Sequence, residues 1–589
     1  MEKTQDQQGD TKDSYFYRPL ENIEDVEIFE EAVERKRFAR KLSEERPYTY
    51  WTLELYDQEN GIRGGGGLGV LAADTRRIAE RVGVPLVLLT PFYPRETHQT
   101  WRDGELIDES RPVNYLEFGF SKIDDVMIKC PDGLCRLEVI EKRWRHTRIV
   151  AVTEPNFGEL YSGMSGSDHR LYQEVALGFG GYKALKLLGL RPAVMQLNEV
   201  ATFFAALARL DELAFNGMDF YEAMVYTRKH TLYTNHTLVQ AAEAEFSQEQ
   251  FKRFVYPNVR SRAVKKWLED KFVNGRLKLS AVAIEIAEMR SGVSRLHARC
   301  ANYHDVAGNK VKFRAITNGI DMKKWVLPEI MDFYHLIGAL DEYDLPGENL
   351  PEKLTALTSE QIRELKRRGR GVLNSVLAGR PDQNGRVLRF SDSDLVFVYK
   401  RRFVDYKRPW LPFADLARLR AVLELYQAHY ILTGRVHAGD ARMAKKLREI
   451  LAAVDGDAYL REHVHYIADY DERLAYGLSA GCNVAINVPV VGLEACGTSW
   501  EKDVANLGLL VSTHDGGVAD GEISDYLNVA GSSESEEVDA LYDRMREAAE
   551  VWQNNFDLEY WVQRQLSAYL PVVSGARMLR DYLQYLLPE

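Results

Sequence analysis

Short, continuous apolar runs, each closed by a Gly, Asn or Thr turn and followed by a helical pattern, recur through this chain and set its fold class. Strands are expected over 85–90, 193–197, 231–234 and 312–317, then over 394–399, 429–432, 464–467, 483–488 and 508–512. Runs of this kind suit buried parallel strands, and their alternation with helices implies an α/β fold of doubly wound sheets. The rhythm occupies two successive halves. At 589 residues the chain exceeds one hydrophobic core, so at least two domains are expected. The boundaries read as a loose polar tail over 1–15, one domain over 16–320, a second over 321–541, and helices over 542–589 packing back across the domains. Within the second domain, 332–379 is a charged helical elaboration ahead of its first strand. Trp552, Phe556, Trp561, Tyr569 and Tyr582 in the last segment read as core anchors.

Composition narrows the function. The hydrophobic content of 45% and charged content of 28% are ordinary for a soluble enzyme. A net charge of −12 argues against nucleic acid as the main partner. No run of about twenty apolar residues exists to span a membrane, and the first residues lack the apolar core of a signal peptide. Five cysteines in so long a chain point to a reducing compartment, the cytoplasm. Cys130 and Cys135 flank Pro131-Asp132-Gly133 between strand-like runs at 125–129 and 136–140, which reads as a hairpin with a thiol on each arm. A zinc site needs further clustered ligands, so the pair reads as structural.

Several segments carry chemistry. Gly64-Gly65-Gly66-Gly67-Leu68-Gly69 precedes a helical stretch beginning near Leu71; bare backbone there can approach an anion closely, although four glycines also make a plain flexible turn. Arg401-Arg402-Phe403-Val404-Asp405-Tyr406-Lys407-Arg408 follows the strand at 394–399. Cations crowded at a strand end suit an anion, or a basic surface turn balanced by nearby acids. Tyr233-Thr234-Asn235-His236-Thr237 and Ile316-Thr317-Asn318-Gly319-Ile320 are strand-to-turn signals that bring a histidine and an asparagine to strand ends. Glu494-Ala495-Cys496-Gly497-Thr498-Ser499-Trp500-Glu501-Lys502 sets an acid eight positions before a lysine. Alone, it also reads as a capped helix start.

Together and in this order, these segments resemble the α-glucan phosphorylases, closest to the short bacterial and archaeal type, over roughly 50–517. The glycine segment is similar to that family's Gly-Gly-Leu-Gly-x-Leu-Ala loop, the basic one to its phosphate motif, and Glu494–Lys502 to its Glu-Ala-Ser-Gly-Thr segment, with Cys496 in place of serine. Gln196–Glu199, Ser291–His297 and Ala468–Asp471 match further landmarks. The resemblance implies a GT-B fold, two Rossmann-like domains facing across a cleft, with ligands beyond the carboxyl ends of the strands. It implies pyridoxal 5′-phosphate held as a Schiff base on Lys502, with Arg401, Gly66, Thr498, Ser499 and Tyr470 around it. Arg402 and Lys407 would take inorganic phosphate. His236, Asn318, Glu494, Ala495, Cys496, Gly497, Gly67 and Leu68 would line the donor glucose, with His236, Arg402 and Lys407 in the catalytic group. The reaction implied is reversible phosphorolysis of an α-1,4-glucan or maltooligosaccharide to glucose 1-phosphate with retention. The resemblance also admits a homo-oligomer.

Departures stand beside the match. Ala201 replaces the family's histidine, Val490-Val491 replaces an arginine pair, and Trp500, Glu501 and Asp503 surround a lysine whose neighbours are usually small or apolar. Carboxylates that approached Lys502 would raise its pKa and oppose imine formation, whereas neighbours at i±1 on a helix point away from it and have a small effect. A retaining nucleotide-sugar transferase and a non-catalytic glucan-binding homologue therefore remain open, since fold alone does not exclude either.

Overall fold

The computed structural model describes residues 42–586 except 65, 161–164, 238–243, 302, 305–309, 438 and 522–526. The polar tail expected over 1–15, Gly65 of the glycine loop and the end of the final helical segment lie outside the described residues. The first domain is built on a nine-stranded sheet. Its spatial order is Arg314–Ala315, Met289–Gly292, Thr231–Asn235, Val194–Asn198, Tyr48–Trp51, Leu86–Pro91, Thr147–Thr153, Gly133–Arg143 and Ser121–Cys130. The first seven run parallel; the last two form an antiparallel hairpin on the edge.

Strand pleat decides how this sheet is buried. Tyr48 and Tyr50, Leu86 and Leu88, and Val194 pack into one core. Trp51, Val87 and Leu89, and Met195 and Leu197 pack into the other. Alternate side chains thus face opposite layers, as a two-residue period requires, and both layers are apolar. Each large side chain so buried contributes roughly 1.5–3 kcal/mol.

The second domain carries a five-stranded parallel sheet ordered Val464–Ile467, Ala428–Thr433, Leu395–Lys400, Val484–Asn487 and Leu509–Ser512. Its core takes in the helices Ser359–Leu377, Glu534–Gln553 and Asn555–Val573. Two doubly wound α/β domains facing each other make this a GT-B architecture.

The chain crosses between the domains twice, and the crossings touch. Ile320 N–H donates to Val573 O and Gly575 N–H to Ile320 O, both at 2.9 Å. A methyl on Gly319 would stand 2.6 Å from Ser574 O, so only glycine fits there. Arg577 donates to the carbonyls of Thr317 and Asn318 at 2.8 and 3.1 Å. After this junction the helix Gly575–Leu586 buries Ala576, Met578, Leu579, Tyr582 and Leu583 in the core of the first domain.

A second tie comes from the hairpin Arg95–Arg102 and Glu105–Pro112, which reaches over to the other domain. There Gln99 and Val436 exchange hydrogen bonds of 2.8 and 3.2 Å, and Trp101 packs edge-on against Tyr466 at 5.8 Å. No helix among the described residues is long and apolar enough to cross a membrane.

Candidate active site

Between the domains lies a cavity of about 500 Å³, and every candidate residue named from the sequence lines it: Gly66, Gly67, Leu68, His236, Asn318, Arg401, Arg402, Lys407, Tyr470, Glu494, Ala495, Cys496, Gly497, Thr498, Ser499 and Lys502. The glycine loop enters from the first domain ahead of the helix Gly67–Val82. Gly66 N–H donates to Glu54 at 2.9 Å, and a methyl on Gly66 would stand 3.1 Å from the Arg402 guanidinium carbon. A methyl on Gly69 would meet Tyr56 N at 2.8 Å, so the loop needs bare backbone where it packs.

From the second domain, the end of strand Leu395–Lys400 delivers the cations. Arg401 donates to Glu494 at 2.7 Å, and Lys407 Nζ lies 3.1 and 3.3 Å from the two Glu494 oxygens. All three are buried. Burial alone would raise the Glu494 pKa, but Lys407 and Arg401 overcome it and hold the carboxyl at about 2. Burial, aided by the adjacent Arg401, lowers Lys407 to about 7. Arg401 Nε and Nη1 have no hydrogen-bond partner among the described residues, which leaves donors for an anion. A methyl on Gly497 would press to 2.5 Å from Arg401 Nη2, so glycine admits the guanidinium. Arg402 stands exposed in the cleft.

Lys502 sits in the helix Ser499–Ala505 and is buried. Its Nζ lies 3.3 Å from the centre of the Trp325 ring. Burial lowers its pKa to about 7, against the attraction of Asp74. The flanking carboxylates do not reverse this. Asp503 pairs with Lys400 at 3.0 Å. Glu501 turns toward Cys496 (Oε1 to Sγ 3.6 Å), and burial raises its pKa well above the carboxylate range, so it stays protonated. Both acids thus point away from Lys502, as i±1 neighbours on a helix do, and Glu501 raises its pKa only as a minor influence. Trp500 is core, edge-on to Tyr569 at 5.0 Å.

On the other wall, His236 Nε2 donates to Asn198 Oδ1 at 2.9 Å, and its backbone N–H donates to Glu199 at 2.8 Å. Burial lowers the imidazole to about 3, with His297 adding to the shift, so the ring is neutral and held in one orientation. Asn318 donates to Cys496 O at 3.4 Å, while its buried Oδ1 has no partner among the described residues. Ala201 lines the cavity where a histidine would project.

Sequence reading missed Glu54, Glu174, Trp325, Lys400 and Glu472, all of which line the cavity. Glu174 is the most telling: one oxygen takes a 2.9 Å bond from Arg170, and the other, buried, has no partner among the described residues. Burial raises this carboxyl to about 7, against Arg170. Its signal is only that Glu174 sits on the buried face of the helix Asp168–Val175.

A cleft between two Rossmann-like domains, lined by cations, a buried lysine and a glycine loop, defines a GT-B enzyme of group transfer to or from phosphate. The chain belongs to the carbohydrate phosphorylase family, whose model matches residues 193–574. It is 25% identical over 598 residues to the maltodextrin phosphorylase of Thermococcus litoralis, covering 92% of this chain and 70% of that protein. It is 25% identical over 610 residues to the glycogen phosphorylase of Mycobacterium tuberculosis, covering 91% and 70%. An uncharacterized protein of Methanocaldococcus jannaschii is 24% identical over 575 residues and matched along 99% of its own length.

Proposed function

We propose that the chain is an α-glucan phosphorylase of the cytoplasm, cleaving an α-1,4-linked terminal glucose with inorganic phosphate to give glucose 1-phosphate with retention, and running in reverse. The observation that carries this reading is Lys502: a buried amine with a pKa near 7, eight positions after Glu494 and lining the same cavity as a buried guanidinium with unpartnered donors.

The residues present suit pyridoxal 5′-phosphate. Lys502 offers a neutral amine to an aldehyde, Trp325 and Tyr470 offer ring faces beside it, and Arg401 with the 497–499 turn offers donors to a phosphate. Bound at Lys502, the cofactor would supply a second phosphate group to exchange a proton with inorganic phosphate.

This chain's own residues do the rest. Arg402 and Lys407 bind inorganic phosphate and offset the charge of two neighbouring phosphates, a preorganised electrostatic role. Asn318 Oδ1 accepts from a sugar hydroxyl, and neutral His236, its Nε2–H committed to Asn198, positions the ring rather than transferring a proton. The Glu494 carboxylate orients the cations and accepts from the donor glucose. The deciding experiment incubates cofactor-loaded protein with maltooligosaccharides and phosphate. Release of glucose 1-phosphate, and release of phosphate in reverse, is the expected outcome. Transfer of glucose from a nucleotide sugar with no glucose 1-phosphate would replace this reading.

A further inference from the structure

The edge hairpin of the first sheet carries two thiols that phosphorolysis does not use. Its register pairs Cys130 with Gly133 and Ile128 with Cys135, which makes the two cysteines diagonal neighbours on one face of the ladder. Both are half-buried against the same core. Cys135 Sγ lies 3.0 Å from the Tyr172 hydroxyl. Tyr172 belongs to the helix Asp168–Val175, the helix that sends Arg170 and Glu174 into the cleft. Among the described residues no cluster of three metal-ligating side chains occurs, so these thiols are not part of a metal site there.

The two thiols are unequal. The nearby Cys130 and the Tyr172 hydroxyl lower Cys135, while Cys135 and burial raise Cys130. Cys135, with a hydroxyl at 3.0 Å that can donate to its thiolate, is the nucleophile of the two.

We propose that Cys130 and Cys135 are a reversible redox pair, oxidised by a small organic disulfide through thiol–disulfide exchange, that sets the hold on the Arg170–Glu174 helix through Tyr172. In the first step the Cys135 thiolate attacks one sulfur of the small disulfide and a thiolate leaves. Cys130 then gives up its proton and attacks Cys135 Sγ, expelling the second thiolate. The cysteines lose two electrons and two protons, and the oxidant becomes two thiols.

Diagonal ladder neighbours stand ~7–8 Å apart at Cα, beyond the reach of a relaxed bridge, so closing the bond draws the strands together beside the turn. That movement, with the thiolate replaced by a weakly accepting disulfide sulfur, takes Cys135 from Tyr172. A bond closed under tension is readily reduced, which suits a switch and not a permanent staple.

The test uses the full-length chain in buffers of graded reduced-to-oxidised glutathione, followed by alkylation and peptide mapping. The expected product is an internal bridge between Cys130 and Cys135, reversed by dithiothreitol. Cys300, exposed, is the internal control. Cys130 and Cys135 staying reduced while Cys300 is glutathionylated overturns the proposal, as does a lasting glutathione adduct on Cys135. Hydrogen exchange of the peptide spanning 168–175 reads the coupling without reference to activity. Oxidation should speed its exchange several-fold in the wild type. In Tyr172→Phe exchange should be fast already and indifferent to oxidation. An unresponsive wild type, or an equal response in both proteins, overturns the link to the helix.

Discussion

Lys502 Nζ sits 3.3 Å over the centre of the Trp325 indole, and the same indole donates its ring N–H to Asp74 at 2.9 and 3.0 Å. One tryptophan thus joins the Lys502 amine to a carboxylate on the glycine-loop helix. A cation over a tryptophan face gains about 0.5–2 kcal/mol, which favours the ammonium form. Burial outweighs it, and the amine titrates at about 7, far below an exposed lysine.

Lys502 should therefore react with pyridoxal 5′-phosphate at a rate that climbs with pH through about 7, far below the 10.5 of an exposed lysine. Borohydride trapping and peptide mapping across the neutral range measure this; a Lys502 profile matching that of surface lysines would refute it. Stability moves with the same sign. The folded pKa lies below the unfolded one, so between about 7 and 10.5 the unfolded chain binds more protons and stability rises with pH. Lys407, also lowered to about 7, adds to that slope.

Glu494→Gln removes the carboxylate that pairs Arg401 and Lys407. Two buried cations then face each other without compensation, so the variant should lose about 3–5 kcal/mol in urea unfolding. Lys407→Met added to it should recover part of the loss. In the wild type the depressed Glu494 pKa contributes stability that is complete above 4.5 and lost as pH falls through about 2. Unchanged unfolding of Glu494→Gln would mean the triad is solvated.

Asn318→Ala and His236→Ala should each lower kcat/KM for maltooligosaccharide by the equivalent of about 1–3 kcal/mol, the usual loss of a buried hydrogen-bond partner. Because Asn318 also donates to Cys496 O, Asn318→Asp should not restore activity. Steady-state kinetics on purified variants decide the matter. Wild-type values in both would place the donor pocket elsewhere.

Gly319→Ala forces a methyl to 2.6 Å from Ser574 O, where neither crossing has room to yield. The expected cost is about 1–3 kcal/mol with a matching fall in Tm, as overpacking gives. Gly371→Ala, with open space at that position, is the control and should be neutral or better. Equal melting temperatures for the two variants would show that the junction gives way.

What the sequence made legible follows from locality. Leu395–Lys400 and Val464–Ile467 were readable because a strand buried on both faces is an unbroken apolar run. Tyr48–Trp51, at the centre of the first sheet, was not read because it is short and carries Thr49, whose hydroxyl donates to Val194 O across the sheet and accepts from the Trp51 indole. The run at 312–317 shrinks to Arg314–Ala315 on the sheet edge, where Met289–Gly292 is its only strand partner among the described residues. The hairpin Arg95–Arg102 and Glu105–Pro112 had no apolar signal; its anchors, Asp469 and Val436, lie hundreds of residues away in sequence. The site divides the same way. Cations and glycines within one turn of a strand end are visible in sequence, whereas Trp325 and Glu174 acquire a role only when the domains meet. Asp503 shows the converse: its position suggested an effect on Lys502 that Lys400 takes up instead.

The helix Gly575–Leu586 completes the core of the domain to which Tyr48 and Leu86 belong. On a ribosome that domain emerges first and is finished last, since its final layer follows the whole of its partner. Its nascent form presents Ile78 and Leu71 on a helix still short of its cover, an apolar face for chaperones to hold while the second domain is made. The second domain runs unbroken between the crossings but the first does not, so a recombination event that exchanges the first domain between relatives must carry both of its segments or leave its core open.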